Sequence, residues 1–370
     1  MGGLIALQNF KAKLFRWEFW PFGNIQLPLF FLWIWYALKE HSLFYFSASN
    51  PSILTGGMMG ESKYEVLQLV PDLVKPKTIL IEATASREKV VALLNQNQLQ
   101  LPVIFKPDLG ERGWMVRKIK SIEDIDQYLS EIRIDFIAQE LVELPLEFGV
   151  YYVRFPQKEN GFVNSITGKK FLSVVGDGHK TLGQLIEEND RARIQWNILS
   201  EKYKTVWNHT LKPGEAIELV SIGNHCLGTT FLNANHLITP QLSESFDRIS
   251  KQIKGFYFGR FDLRCASVKD LENGNVKIVE LNGCGAEPAH IYHPGASLWR
   301  GMADLLTHWK NLYLVSKQNH QRGVPYLSFA EGRAIYKKVK SIKAAKSKYP
   351  FLNPLFFLLL GLHIYLTNSS

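Results

Sequence analysis

The sequence predicts a mixed α+β body flanked by two unlike extensions, and three observations carry that prediction. Between residues 47 and 330, short apolar runs rich in β-branched and aromatic residues alternate with helical stretches. Residues 19–38, FWPFGNIQLPLFFLWIWYAL, hold no charge. From Gly332 onward there are seven basic residues (Arg333, Lys337, Lys338, Lys340, Lys343, Lys346, Lys348) and no acid, so most of the net charge of +9 sits in one tail and the body is nearly neutral.

The 370 residues, 46% hydrophobic, 12% aromatic and 21% charged, suffice for two or three units with a buried core and exclude disordered, collagen-like and disulfide-stapled classes. Three cysteines, Cys226, Cys265 and Cys284, are too scattered for a metal knuckle and suit a reducing compartment, so a cytoplasmic protein is expected. Charge interrupts the first 20 residues before a signal-peptide core develops, and secretion is not expected.

Taken in order, the uncharged N-terminal stretch is continuously apolar only over LPLFFLWIWYAL, because Pro21, Gly23, Asn24, Gln26 and Pro28 occupy its first half. Twelve residues rise about 18 Å, too little to span a bilayer. Strands are predicted at 78–83, 101–107, 136–142, 149–155, 256–264 and 276–282, and helices at 86–97, 122–131, 181–188 and 242–254. In the tail, Ile335, Val339, Ile342 and Tyr349 fall near one helical face, with lysines on the others, before the short apolar run 355–366. Two readings stay open: a peripheral contact with an anionic membrane through both termini, which Trp17, Trp20, Trp33 and Trp35 would suit, or apolar segments packed on each other or on the body. No nucleic-acid partner is expected.

Three constellations carry chemistry. In VKIVELNG, Glu280 and Asn282 are two apart and share a strand face; in GRFDLR, Asp262 lies between Arg260 and Arg264 on one face. Two carboxylates and an amide form a hard-oxygen set suited to magnesium on nucleotide phosphates, and the same residues could equally form an internal salt bridge. In PVIFKPDLGERG, Lys106 ends an apolar strand and is followed by the turn Gly110, Glu111, Arg112, Gly113, whose backbone could cradle phosphate or simply be a solvated turn. In AQELVELPLEFGVYY, a short polar connection joins two strands and could read an adenine edge, with Glu147 nearby for ribose hydroxyls.

The order of these pieces, Lys63, Lys106 with its glycine turn, Gln139–Val142 with Glu147, GRFDLR and VELNG, resembles the ATP-grasp superfamily over about residues 55–310. The D-alanine:D-alanine ligases, the ribosomal-protein glutamate ligase and cyanophycin synthetase are its nearest familiar members, and FLSVVGDGHKTLGQLI is similar to a VxGDGxxTxxELI stretch of the last. The resemblance implies an ATP-grasp fold, two α/β subdomains gripping ATP, over 55–315, with about 100–142 carrying the phosphate loop and about 143–315 the metal site. The segments 1–54 and 316–370 would be its apolar aromatic and basic extensions.

The resemblance further implies Lys63, Lys106 and Lys169 or Lys170 on ATP phosphates, the turn 110–113 closing over the nucleotide, and Glu140, Leu141 and Val142 as the adenine hinge. Glu147 would hold the ribose, and Asp262, Glu280 and Asn282 one or two magnesium ions, with manganese as a substitute. Arg260 would face the transferred phosphoryl group, with Lys106 and Arg264 as its catalytic companions. The implied reaction is ATP-dependent activation of a small-molecule carboxylate as an acylphosphate, followed by attack of an amine; a homodimer is compatible with it. Rival readings are a kinase of a small hydroxyl substrate and a nucleotide-binding, membrane-associated accessory protein. Arg154, His225, Arg264, Glu287 and His290 are candidate substrate contacts. The sequence departs from D-alanine:D-alanine ligases in having only about 60 residues before Lys63 and GERG in place of a serine-rich loop, so their amino-acid pocket is not expected.

Overall fold

The computed structural model describes residues 2–20, 22–110, 113–220, 223 and 228–344. Glu111, Arg112, His225 and Cys226, and in the tail Lys346, Lys348, Tyr349 and the apolar run 355–366, lie outside the described residues.

The predicted apolar runs fold as strands of antiparallel sheets. The first sheet holds β1 (Thr78–Ile81), β2 (Val103–Pro107), β3 (Arg117–Ile119) and β4 (Phe136–Glu140), in the order β1-β4-β2-β3. The second has the order β11-β10-β5-β6-β9, made from β5 (Leu146–Val153), β6 (Phe162–Lys170), β9 (Thr230–Asn233), β10 (Phe258–Cys265) and β11 (Lys277–Asn282). Between β6 and β9, β7 (Leu172–Val175) and β8 (Ala216–Val220) pair as a ribbon.

Twelve helices are described. The N-terminal pair is α1 (Gly2–Phe15) and α2 (Phe22–Lys39), and α3 (Lys63–Gln68) precedes β1. Helices α4 (Arg87–Gln96) and α5 (Ile122–Glu131) cover the first sheet, with Val90, Leu94, Ile125 and Tyr128 buried against Ile81, Phe105 and Phe136. Ser86 and Ser121 cap them by accepting from the amides of Lys89 and Asp124. Helices α6 (Leu182–Glu188), α7 (Asp190–Ile194) and α8 (Trp196–Lys202) enclose a small core with the ribbon through Leu172, Val174, Leu182, Ile186 and Leu199. Helices α9 (Pro240–Gln252) and α10 (Val268–Asn273) back the second sheet, and α11 (Leu298–Gln321) and α12 (Phe329–Ala344) follow it.

Strand alternation separates the two faces of the second sheet. Phe148, Val150 and Tyr152 of β5 and Phe261 and Leu263 of β10 enter the core with Leu242 and Phe246 of α9. Glu147, Gly149 and Tyr151, with Arg260, Asp262 and Arg264, take the opposite face.

One helix exceeds its apolar run and one expected boundary is corrected. Helix α2 runs 18 residues through Pro28 and starts at Phe22, ahead of the continuously apolar run. Pro28 forfeits one helical hydrogen bond, and burial of Ile25, Leu29, Trp33 and Tyr36 outweighs that loss. The boundary placed at 315/316 falls inside α11, whose Leu312, Tyr313 and Val315 pack with Trp33, Tyr36 and Ala37 of α2. Tyr36 and Tyr313 stack with ring centroids 4.0 Å apart. The inner side of α2 is therefore part of the body. In α12, the apolar positions Ile335 and Val339 face Gly60, where an added Cβ would lie 3.3 and 2.9 Å from their Cγ2 atoms, so that face packs inward as well. Among the described residues no helix is long and apolar enough to cross a membrane.

Candidate active site

The polar face of the second sheet and the facing edge of the first bring most of the predicted residues together. On β10 and β11, Asp262 stands opposite Glu280 and Arg260 opposite Asn282, as the period of two requires. Arg260 donates to both oxygens of Asp262, at 2.8 and 3.0 Å, and its Nη1 donates to the Glu287 carbonyl at 3.0 Å. Asn282 Nδ2 donates to Asp262 Oδ2 at 3.3 Å.

Gly149 of β5 pairs with Asp262, and a Cβ there would sit 3.1 Å from both Arg260 Cδ and Asp262 Oδ1. The bare backbone lets the Arg260–Asp262 pair lie flat on the sheet. The adjacent lysines of β6 are sorted by the same alternation: Lys169 turns in, 3.0 Å from Glu147 and 3.6 Å from Asp262, while Lys170 is exposed.

Lys106, at the end of β2, is buried and donates to Gln139 Oε1 at 3.1 Å and to the Val279 carbonyl of β11 at 3.0 Å. Gln139 Nε2 donates to the same carbonyl at 3.3 Å, so the first sheet is clasped to the edge of the second. Lys63 lies at the start of α3, with its ammonium 2.9 Å from Glu280. Asp108 places it. That buried carboxylate, two residues beyond Lys106, accepts from Ser62 Oγ at 2.9 Å and from the Tyr64 amide at 2.8 Å, and its carbonyl accepts from the Lys63 amide.

The segment leading to α3 is tied to β10 and to the turn after β11 by two further devices. Asn50, fully buried, donates to the carbonyls of Gly56 and Phe258 and accepts from the amides of Tyr257 and Phe258. Gly57, at φ +82°, crosses Gly283 so closely that a Cβ would fall 2.5 Å from the Gly283 Cα, while Gly285 donates to the Gly57 carbonyl.

Four cationic side chains, Lys63, Lys106, Lys169 and Arg260, thus surround Asp262 and Glu280. Burial works to lower the Lys106 pKa and the nearby Glu280 only partly restores it, leaving the ammonium at about 8. For Lys63 and Lys169 burial is outweighed, by Glu280 in one case and by Asp262 and Glu147 in the other, and both are raised. Against the cost of burial, Lys63 and Lys106 hold Glu280 well below the usual carboxylate range, and Arg260 and Lys169 lower Asp262. Burial pushes the Cys284 thiol up to about 12, which removes it as a thiolate nucleophile at neutral pH.

Other predicted residues stand elsewhere or are already engaged. Arg264 does not join the cationic cluster around Asp262 and Glu280: it pairs with Glu147 at 3.0 Å and donates to the Val142 carbonyl at 3.0 Å, bracing the 141–146 connection from within. Glu147 is held between Arg264 and Lys169, because its strand position points it across the sheet at both. Glu140 is exposed and accepts from the Lys77 amide, and Leu141 and Val142 begin the connection after β4. Of the glycine turn, Gly110 and Gly113 are described, the latter at φ +72°. Arg154 donates to the Phe256 carbonyl and lies over Tyr257, and His290 pairs with Asp304. Glu287 borders the site: its carboxylate accepts from Gln26 of α2 and from Tyr292, beside the Arg260 contact to its carbonyl.

Sequence reasoning missed Asp108, Asn50, Gly149 and Gln26. Asp108 lies two residues from a predicted phosphate lysine in KPD and Gly149 two from Glu147 in EFGV, which were the only local signals; Gln26 meets Glu287, and Asn50 meets Phe258, more than 200 residues away.

Among the described residues no group of three or more His, Cys, Asp and Glu is placed to hold a metal. Asp262, Glu280 and Asn282 fit magnesium only as a partial oxygen set completed by phosphate and water, which is the usual manner of magnesium binding.

No known protein family matches the sequence, and no curated protein resembles it in sequence. The chain is similar in fold to a number of solved structures, three of which follow. With a bifunctional glutathione synthetase from Pasteurella multocida it shares 15% identity over 68% of this chain and 38% of that one, at a TM-score of 0.33. With D-alanine--D-alanine ligase from Bacillus anthracis it shares 11% over 76% and 70%, at 0.39. With the ATP-grasp ligase PsnB it shares 15% over 67% and 60%, at 0.34.

Proposed function

We propose that this chain is an ATP- and magnesium-dependent ligase that joins a carboxylate to an amine. The observation that supports it is the convergence of Lys63, Lys106, Lys169 and Arg260 on Asp262, Glu280 and Asn282 between two sheets. A cation-rich site holding two neighbouring carboxylates suits a polyphosphate that brings its own divalent ion.

In this reading Lys63, Lys106 and Lys169 bind phosphate oxygens, and Arg260 neutralises charge on the transferred phosphoryl group. Asp262, Glu280 and Asn282 would hold magnesium, which supplies charge neutralisation and orientation of the phosphates. Lys63 and Arg260 occupy the two carboxylates in the chain as it stands. A nucleotide that draws the cations onto its phosphates frees the carboxylate oxygens for the ion. Gln139, Glu140, Leu141 and Val142, braced by Arg264 through Val142, would form the adenine side.

The reaction balances without a covalent enzyme intermediate. A substrate carboxylate oxygen attacks the γ-phosphorus and ADP leaves, giving an acylphosphate. An amine then attacks the acyl carbon, inorganic phosphate leaves, and a proton is lost as the amide forms. The cationic cluster stabilises the phosphates in both steps.

The test is ADP release with Mg-ATP, a metabolite extract and hydroxylamine, with mass spectrometry for hydroxamates. Protein-dependent hydroxamate, lost in Glu280→Gln, is the expected result and names the acid. ADP with a new phosphate ester and no hydroxamate would make the chain a kinase; nucleotide binding without ADP release would make it an accessory protein.

A further inference from the structure

The mechanism above leaves the outer side of α2 unused, and that side is unusual for a polar solvent. Leu27, Phe31, Trp35 and Leu38 are 50%, 64%, 55% and 66% exposed. Their spacing of four, four and three residues puts them on one stripe, opposite the buried Ile25, Leu29, Trp33 and Tyr36. Helix α1 repeats the pattern with exposed Leu7, Phe10 and Leu14.

The charges around these stripes are mostly cationic. Lys11 and Lys13, both exposed, precede α2, Arg16 after them is exposed and pairs with Asp190 of α7 at 2.9 Å, and Lys39 ends α2 with its ammonium 4.8 Å from the Trp35 ring. The acids of the same stretch are spent on other partners: Glu18 is buried against Arg191, and Glu40 accepts from Tyr313, Lys317 and Tyr326. An apolar stripe with aromatic residues and a mostly cationic rim matches a surface with an apolar interior and anionic headgroups.

We propose that α2, with the basic end of α1, is a docking surface for an anionic lipid bilayer, on which it lies parallel to the membrane. The stripe inserts at the level of the acyl boundary, and Lys11, Lys13, Arg16 and Lys39 meet the headgroups. Gln26, on the inner side of the same helix, hydrogen-bonds Glu287 at the edge of the site, so docking would hold the candidate active site close to the membrane surface.

The test uses the full chain in flotation with vesicles of phosphatidylcholine alone or containing about 30% phosphatidylserine. Binding to the anionic vesicles is expected, on the order of tenfold above the neutral ones, and weaker as salt rises. The double variant Phe31→Ser, Trp35→Ser should lose it by tenfold or more, and Lys11→Gln, Lys13→Gln, Arg16→Gln, Lys39→Gln should abolish the preference for phosphatidylserine. Circular dichroism and ATP binding, which these positions do not touch, establish that the variants are folded. Absence of vesicle binding by the parent chain overturns the proposal, as does equal binding by the Phe31, Trp35 variant. A stable dimer in solution that the same double variant converts to a monomer also overturns it, because the stripe would then belong to a second copy of this chain.

Discussion

Asp108→Ala separates the positioning of a nucleotide lysine from the folding of the body. Helix α3 is six residues long, too short to persist on propensity alone, and Asp108 holds its first turn from outside by two hydrogen bonds at 2.9 and 2.8 Å. Hydrogen bonds to a charged acceptor contribute about 1.5–3 kcal/mol each. Ser62 and Tyr64 are half-buried and regain water, so the net loss of stability should be about 2–3 kcal/mol, or roughly 3–4 °C in Tm for a chain of this length. The larger consequence falls on Lys63. Without its anchor the ammonium no longer has a fixed place beside Glu280, and one charged phosphate contact, again about 1.5–3 kcal/mol, is forfeited. The dissociation constant for ATP, measured by calorimetric titration with magnesium, should rise about 10- to 100-fold. Asp108→Asn keeps an oxygen acceptor for both donors and should change it only a few-fold. A normal ATP affinity in Asp108→Ala, with Tm lowered as expected, would refute the argument that this carboxylate places Lys63 for the nucleotide.

Three further outcomes follow from the same geometry. Lys169→Ala should cost about 100-fold or more in ADP release while Lys170→Ala leaves it unchanged, since one ammonium lies 3.6 Å from Asp262 and the other is exposed; equal effects would place the phosphate elsewhere. With its pKa lowered to about 8, Lys106 is an ammonium below that pH and a neutral amine above it, so ATP affinity should fall as pH rises through about 8, and binding near pH 8.5 should take up protons. Titration in buffers of different ionisation enthalpy reads that uptake, and a flat profile to pH 9.5 would remove Lys106 from the phosphates. Gly149→Ala forces a methyl against Arg260 and Asp262 and should destabilise the chain by about 1–3 kcal/mol and lower turnover beyond that loss; an unaffected kcat would show that the pair can shift without consequence.

What could be read from the chain alone was whatever depends on short-range periodicity. The side-chain period of two places Glu280 with Asn282, and Arg260 with Asp262, whatever the strands later pair with. Apolar runs bounded by glycine and charge locate the strands at 78–81, 103–107 and 136–140 to within a few residues. The 24-residue α11 escaped because its exposed side interrupts the apolar pattern, and the start of α2 ahead of its apolar run was hidden because the cost of Pro28 is visible locally whereas the burial that offsets it is not.

Only the tertiary structure decided which charges meet. That Lys169, and not Lys170, turns toward Asp262 depends on the register of β6 against β5, and that Arg264 is drawn to Glu147 depends on the pairing of β5 with β10. Asp108 reaches back 46 residues to Ser62, and Asn50 reaches forward 208 to Phe258. Such contacts leave no periodic trace, because a side chain's neighbours across a sheet are set by the pairing of distant segments, while its facing along its own strand is set by the backbone it sits on.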